Sequence, residues 1–316
     1  MINKVYLGID IGGTAAKFGI VDENGNILHR DEFSVSFDGY DTPILETVLN
    51  KTDYFVSSSG LDIGKISGIG ISATGQIDSE KGEVIGSAGH IQNWVGSKIK
   101  ESFEKKYSIK TIVINDANSA ALGEKWLGAG IGYKNIVAIT IGTGVGGGII
   151  VDDKILLGKR GLAGEIGHIV IHGSGDSCSC GNTGCLERYA STTALVRKVA
   201  AAKEKNPTAF TKDFDENING RKIFDAIKEN TLISQIVDGW VDDISLGIIS
   251  LVHIFNPEQV IIGGGVSSRK EFIESLNKKV HEKVMPRFAE NLEILPAKLG
   301  NDAGLIGAIY YLIENK

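Results

Sequence analysis

The chain is short of several things, and each shortage narrows what it can be. Only 5 of 316 residues are proline, too few for a proline-rich linker or a collagen. Only 3 are cysteine, all between positions 178 and 185. An odd, tightly clustered set does not build a disulfide framework, and it invites the test of a metal site. There is no long basic run, and 33 basic against 39 acidic residues leave a net charge of −6. That balance argues against nucleic acid and against membrane surfaces as partners. No apolar run is long enough to span a bilayer. The longest, Ile136 to Val151, is interrupted by Thr140, Thr143 and five glycines, and it falls short of the roughly 18 to 20 residues required. The opening Met1-Ile2-Asn3-Lys4-Val5-Tyr6 does not read as a signal peptide. These absences together predict a cytoplasmic protein.

Glycine is what the chain has in excess, at 41 of 316 residues against a usual level of roughly 7%. With 42% hydrophobic and 23% charged residues, the chain is not disordered. Its glycines must therefore serve inside a folded protein, where they permit positive φ or close backbone approach. At about 150 residues per domain, the length suggests two domains.

The pattern along the chain locates many of them. Val5–Asp10 reads as a strand that ends in the turn Gly12-Gly13-Thr14, and Lys17–Val21 returns as a second strand. Ile136–Ile141, Gly142-Thr143-Gly144 and Gly147–Val151 repeat this arrangement 130 residues later. Either two glycine-rich hairpins look alike by chance, or the domain is duplicated and each half opens with a strand–turn–strand unit facing a shared cleft. Ile66–Ser72, Thr111–Asn115 and Gln259–Ile262 suit buried parallel strands. Helices are expected from Ala117 to Leu127, Thr192 to Lys205, Leu232 to Phe255, Ser268 to Val284 and Asp302 to Glu314. Strands alternating with helices predict an α/β fold with a largely parallel sheet in each half. The domains are expected at 1–120 and 121–301, with the terminal helix 302–316 packing back onto the first.

Backbone N–H groups of a short glycine turn can converge on an anion. Gly12-Gly13-Thr14 and Gly142-Thr143-Gly144 both qualify, although either could be a plain hairpin turn. Neither is a P-loop or a dinucleotide fingerprint, because both run into a strand rather than a helix. Asp10 precedes the first turn and could hold Mg²⁺ directly or through water. Gly263-Gly264-Gly265 follows a strand and could present bare backbone to an adenine or ribose, or simply make a tight turn. Asp116 stands at a strand end and a helix start. It could take a proton from a hydroxyl that attacks phosphorus, or merely cap the helix. Cys178, Cys180 and Cys185 with one histidine would make the four ligands of structural Zn²⁺. His168 is the expected nitrogen donor, and His172 is its rival.

Taken together, these motifs resemble the ROK family (repressors, open reading frames and kinases) of the sugar kinase/actin-like ATPase superfamily. The resemblance runs through Asp10-Ile11-Gly12-Gly13-Thr14, Asn115-Asp116-Ala117-Asn118, Ile141–Gly148, Gly164-Glu165-Ile166-Gly167-His168, the cysteine segment through Glu187, and Gly263-Gly264-Gly265. It implies a two-domain actin-like ATPase (ribonuclease H-like) fold with a central cleft. It implies an ATP-dependent kinase, using Mg²⁺, that phosphorylates a sugar 6-hydroxyl with Asp116 as base. Asn115, Glu165, His168 and Glu187 would contact the sugar, with Gly75 at the pocket wall. His168 would serve twice, one ring nitrogen on Zn²⁺ and the other toward the sugar. The small-molecule sugar and ATP are the implied partners, and a homodimer the implied assembly. Many members carry Lys directly after Gly-Gly-Thr; here Ala15 stands there and Lys17 follows two residues on. Ala73-Thr74-Gly75 and the segment Ser87 to Trp94 with its Ile91-Gln92-Asn93-Trp94 look more like N-acetylmannosamine kinases than glucokinases. Glucose, fructose or a β-glucoside are alternative acceptors. A sugar-sensing transcriptional regulator is the alternative from another class, but the phosphate motif begins by residue 10 and leaves no room for a helix-turn-helix of roughly 60 to 80 residues. An actin-like filament protein would not need Glu165, His168 and Glu187 beside a metal loop. Eighteen of the 41 glycines fall in the three turns with their flanking strand and in the segment from 158 to 184.

Overall fold

In the computed structural model, residues 4–86, 91–210, 214 and 218–315 are described. Strands β1 (Val5–Ile11), β2 (Ala15–Asp22) and β3 (Ile27–Ser34) form an antiparallel meander. Helix α1 (Ile44–Ser58), β4 (Ile66–Ala73), the hairpin β5 (Gln76–Asp78) and β6 (Glu83–Gly86), α2 (Ile99–Tyr107), β7 (Thr111–Asn115) and α3 (Asp116–Leu127) follow. A second series comprises β8 (Ile136–Ile141), β9 (Val145–Val151), β10 (Lys154–Ile155), α4 (Glu187–Ala190), α5 (Thr192–Lys205), α6 (Gly220–Ala226) and α7 (Thr231–Phe255). It continues with β11 (Gln259–Gly263), α8 (Lys270–His281), α9 (Pro286–Ala289), β12 (Glu293–Pro296) and α10 (Ala303–Glu314). The two large sheets have the orders β3-β2-β1-β4-β7 and β10-β9-β8-β11-β12. Both read third, second, first, fourth, fifth in chain order, so the repeat glimpsed in the glycine turns is a repeat of the whole sheet. Among the described residues no helix is long and apolar enough to cross a membrane.

Two compact units divide the chain. The first takes in the chain to Gly132, Gly148–Gly164 and the chain from Lys298 on; the second takes in Tyr133–Gly147 and Glu165–Ala297. The first boundary falls after Gly132 rather than at 120, because α3 packs against α10 and stays with the first sheet.

In the first unit the register explains what reaches the sheet edge. Asp10 lies opposite Lys17 on β2 and beside Ser72 on the parallel neighbour β4. Ala73 in turn pairs with Asn115 on β7. Three strands thus end at one level and deliver Asp10, Ser72, Asn115 and Asp116 to a common edge. Alternation along β1 sends Leu7, Ile9 and Ile11 into a core with Phe18, Phe55 and Phe103. Tyr6 faces the other way, onto Leu305, Ile309 and Leu312 of α10. The helix can lie this close only where side chains are missing. A Cβ on Gly70 would stand 2.5 Å from the Ala308 carbonyl oxygen, and one on Gly307 would stand 1.7 Å from that of Ser119. Neither contact could be relieved without moving backbone.

A buried carboxylate fastens the returning chain. Glu124 on α3 is 2% exposed. It accepts the N–H groups of Ala129 (2.8 Å), Lys298 (3.0 Å) and Leu299 (2.7 Å). Glu124→Ala should leave these donors without an acceptor and lower stability by about 3 kcal/mol, since each orphaned buried group costs about 1–3 kcal/mol. Urea unfolding followed by circular dichroism reads this directly. An unchanged midpoint would mean that water replaces the carboxylate.

In the second unit α7 is set at both ends. Asn230 accepts the Ile233 N–H at its start, and Asn256 closes it in the left-handed region at φ 45°. Its buried Trp240 donates to the Ser191 carbonyl (3.1 Å), and Ser191 caps α5 by accepting from Ala194. The start of α5 is thereby fixed from two sides.

Candidate active site

The edge of the first sheet carries a carboxylate pair held by distinct partners. Asp10 accepts a hydrogen bond from the Ser72 hydroxyl on Oδ1 (2.6 Å). Lys17 Nζ stands 3.4 Å from its Oδ2 and donates to the Asn301 carbonyl at 3.2 Å. The cation missing at position 15 is thus present two residues later, against Asp10. Both carboxylate oxygens have partners, so Asp10 suits an ion that arrives with its own water shell better than a resident bare one.

Asp116 lies at the first position of α3, but it does not cap the helix. That role belongs to Asn115, whose Oδ1 accepts from Ala117 (3.0 Å) and Asn118 (3.1 Å). The Asn115 Nδ2 donates to Asp116 Oδ1 (2.9 Å) and to the Gly75 carbonyl (3.0 Å). The Ala117 N–H also reaches Asp116 Oδ1 at 2.9 Å. Asn115 therefore orients both Asp116 and the Gly75 wall. Gly75 takes φ 99°, a value reserved in practice for glycine. The preceding Thr74 carbonyl accepts from the indole of buried Trp94 at 2.9 Å. Residues 87–90 of the segment that bears on sugar choice lie outside the described residues.

The second unit contains its own glycine turn. Gly142 N–H donates to the Gly144 carbonyl, and the Gly142 carbonyl accepts from Thr192 at the start of α5, both at 2.9 Å. The Thr193 hydroxyl reaches the Thr143 carbonyl at 2.9 Å. Glu187 Oε2 accepts the Val145 N–H at 3.0 Å, and a Cβ on Gly144 would come within 2.3 Å of that oxygen. Glu187 is thus tied to the turn that the sequence linked to phosphate. Nearby, a pocket of about 660 Å³ is lined by Thr192, Asn219, Phe224, Gly265, Val266 and Arg269. Its size is that of ordinary small-molecule sites. The three successive glycines divide their work. Gly264, at φ 91°, has no room for a Cβ against the Ile141 carbonyl, whereas Gly265 faces open space at the pocket.

His168, Cys178, Cys180 and Cys185 offer four ligand atoms that all lie within 4.8 Å of one another. Cys178 Sγ to His168 Nδ1 and Cys180 Sγ to Cys185 Sγ are each 3.6 Å. A tetrahedron with Zn–S bonds of about 2.3 Å has edges of about 3.8 Å, so the donor set fits Zn²⁺ in both type and spacing. Burial first, then the neighbouring thiols, push the Cys185 thiol up to about 12, so a cation must displace its proton. Exposed Cys180 is shifted down, chiefly by a backbone hydrogen bond at Asn182. His172 is not part of the cluster. Its Nε2 meets Asp243 at 2.8 Å, and Lys198 takes the other Asp243 oxygen at 2.6 Å. With Nδ1 toward the cysteines, His168 turns Nε2 to the side of Glu165, 4.0 Å from its Oε2.

Among the residues singled out from sequence, the structure groups Asp10, Gly75, Asn115 and Asp116 in the first unit. Glu187 joins the 142–144 turn in the second, and His168 joins the cysteines. Ser72, Thr192 and Thr193 were not foreseen. A small polar residue just after the capping Ser191 was the one available signal, for the two threonines.

The duplicated 3-2-1-4-5 sheets with interleaved helices define an α/β protein of the actin-like ATPase class, as the motifs implied. A ROK family sequence model matches residues 6–315, and the chain belongs to that family. It is 33% identical over 317 residues to a glucokinase of Thermotoga maritima, with 98% of this chain and 97% of that protein covered. A ROK family glucokinase of Streptomyces griseus, solved with glucose and AMPPNP, superposes with a TM-score of 0.80 at 31% identity, covering 96% of this chain and 97% of that one. A candidate N-acetylmannosamine kinase of Listeria monocytogenes superposes at 0.81 with 28% identity, covering 99% and 100%.

Proposed function

We propose that the chain is an ATP-dependent sugar kinase that transfers the γ-phosphate to a 6-hydroxyl. The observation that carries this reading is the state of Asp116. Asn115 does the capping and holds Asp116 Oδ1 in place, so the carboxylate is oriented without being needed as a cap. It takes the proton from the sugar hydroxyl as that oxygen attacks phosphorus. Most of the remaining rate comes from positioning and charge stabilisation. The glycine turns 12–14 and 142–144 would each offer N–H donors to phosphate, and Asp10 would hold a Mg²⁺ that enters with ATP through its water shell. The pocket beside Gly265 receives the base. Glu165, His168 and Glu187 bind the sugar hydroxyls. A bound Zn²⁺ would supply structure only, because four protein ligands leave no open position.

The Thr74-Gly75 and Ile91-Gln92-Asn93-Trp94 pattern favours N-acetylmannosamine as acceptor, whereas the glucokinase relatives favour glucose. A coupled ADP assay across N-acetylmannosamine, glucose, N-acetylglucosamine, mannose, fructose and β-glucosides decides between them. ADP release that ignores every sugar would overturn the kinase reading.

A further inference from the structure

Tyr40 is an unusual residue in an unexplained place. It takes φ 72°, a left-handed conformation rare for aromatic residues. Such outliers persist only where the surroundings enforce them, and they gather at functional sites. The loop around it is built to do so. Gly39 N–H donates to the Ser36 carbonyl at 3.2 Å, and Asp38 Oδ2 accepts the Thr42 N–H at 2.9 Å. The ring is half-buried and packs on the first unit's core. The result is a phenol hydroxyl that donates to the Gly13 carbonyl at 2.8 Å.

That carbonyl belongs to the first glycine turn. In a trans peptide the C=O of one residue and the N–H of the next point in opposite directions. Tying the Gly13 carbonyl to Tyr40 therefore aims the Thr14 N–H away from Tyr40. Among the described residues that N–H has no protein acceptor. The next carbonyl, of Thr14, is held by the Val35 N–H at 2.9 Å, so the turn is pinned on both sides of Thr14. Gly12 N–H closes it onto the Ala15 carbonyl at 2.9 Å. Glycine lets a turn reach this shape, but glycine also lets it leave. We propose that Tyr40 is a positioning residue for the nucleotide, fixing the Gly13–Thr14 peptide so that its N–H meets the phosphates beyond the first.

This inference rests on the kinase reading, and the test separates the two. Tyr40→Phe removes only the hydroxyl and keeps the packed ring. In the full chain, titration calorimetry should show ATP bound about fivefold more weakly, the size of one lost neutral hydrogen bond. Affinity for AMP, which lacks the outer phosphates, should stay unchanged. In the coupled assay KM for ATP should rise by the same factor while KM for the sugar and the melting temperature hold. Equal loss for ATP and AMP, or no loss for either, overturns the proposal while wild-type turnover leaves the kinase reading standing. Wild-type protein that binds no ATP overturns both.

Discussion

Asp116→Asn is expected to lower kcat by about 10³-fold, within the range of about 10²–10⁴ that a positioned general base contributes. Sugar affinity should change little. The substitution is close to isosteric, and an amide oxygen can still accept from Ala117 and Asn115, the two donors now on Asp116 Oδ1. The helix should not unwind, because its cap is Asn115. What disappears is the ability to take a proton. Steady-state kinetics with each sugar, together with calorimetric titration of the sugar alone, separate the two effects. A kcat within a few-fold of wild type would remove Asp116 as base. Loss of sugar affinity equal to the loss of kcat would make it a binding residue only.

Asn115 and Asp116 also show where sequence reading ended. Both residue types are good caps, and the strand pattern through Ile114 leaves open which of the two begins the helix. What decides it is the Asn115 side chain, whose Oδ1 accepts the Ala117 and Asn118 N–H groups. The two glycine turns and their repeat were legible because strand, turn and return strand are local. The same holds for the histidine and three cysteines, whose spacing marked a metal site with His168 as the nitrogen donor and left His172 as its rival. What removes the rival is Asp243, which is 71 residues away and draws His172 aside.

Other features had no local signature. Glu124 in a helix reads as a solvated residue, and its three backbone partners come from the chain 5 to 175 residues on. Gly70 and Gly307 looked like part of a general glycine surplus. Their reason is the close seating of α10 on β4 and α3, which no window of sequence contains. The surplus therefore has two causes. Some glycines shape turns, and others let a terminal helix approach a sheet. Only the first cause is visible as a motif.

Cys180→Ala is expected to empty the metal site and disable the sugar side of the protein. Cys180 is exposed, and substitution of an exposed residue ordinarily changes stability by only about 0.5 kcal/mol. A large effect would therefore report a lost ligand rather than lost packing. Metal analysis of protein purified without chelator should give about one Zn²⁺ per chain for wild type and nearly none for the variant. The consequence travels through His168. Its Nδ1 faces the cysteines and its Nε2 faces Glu165, so releasing the ion frees the ring and the loop that carries it. Loss of support around a metal site typically costs about 10–100-fold in activity, and loss of a ligand should fall at the upper end, expressed as KM for the sugar. ATP affinity should be spared, since no residue proposed for the nucleotide is a ligand. Acid should imitate the variant. The ligands bind as thiolates, and the Cys185 thiol already holds its proton up to about 12. Falling pH therefore favours the proton over the metal, and zinc release measured with a chromogenic chelator should rise as pH falls. Wild-type protein without zinc, or a zinc-free variant with unchanged sugar KM, would show that the loop stands without its ion.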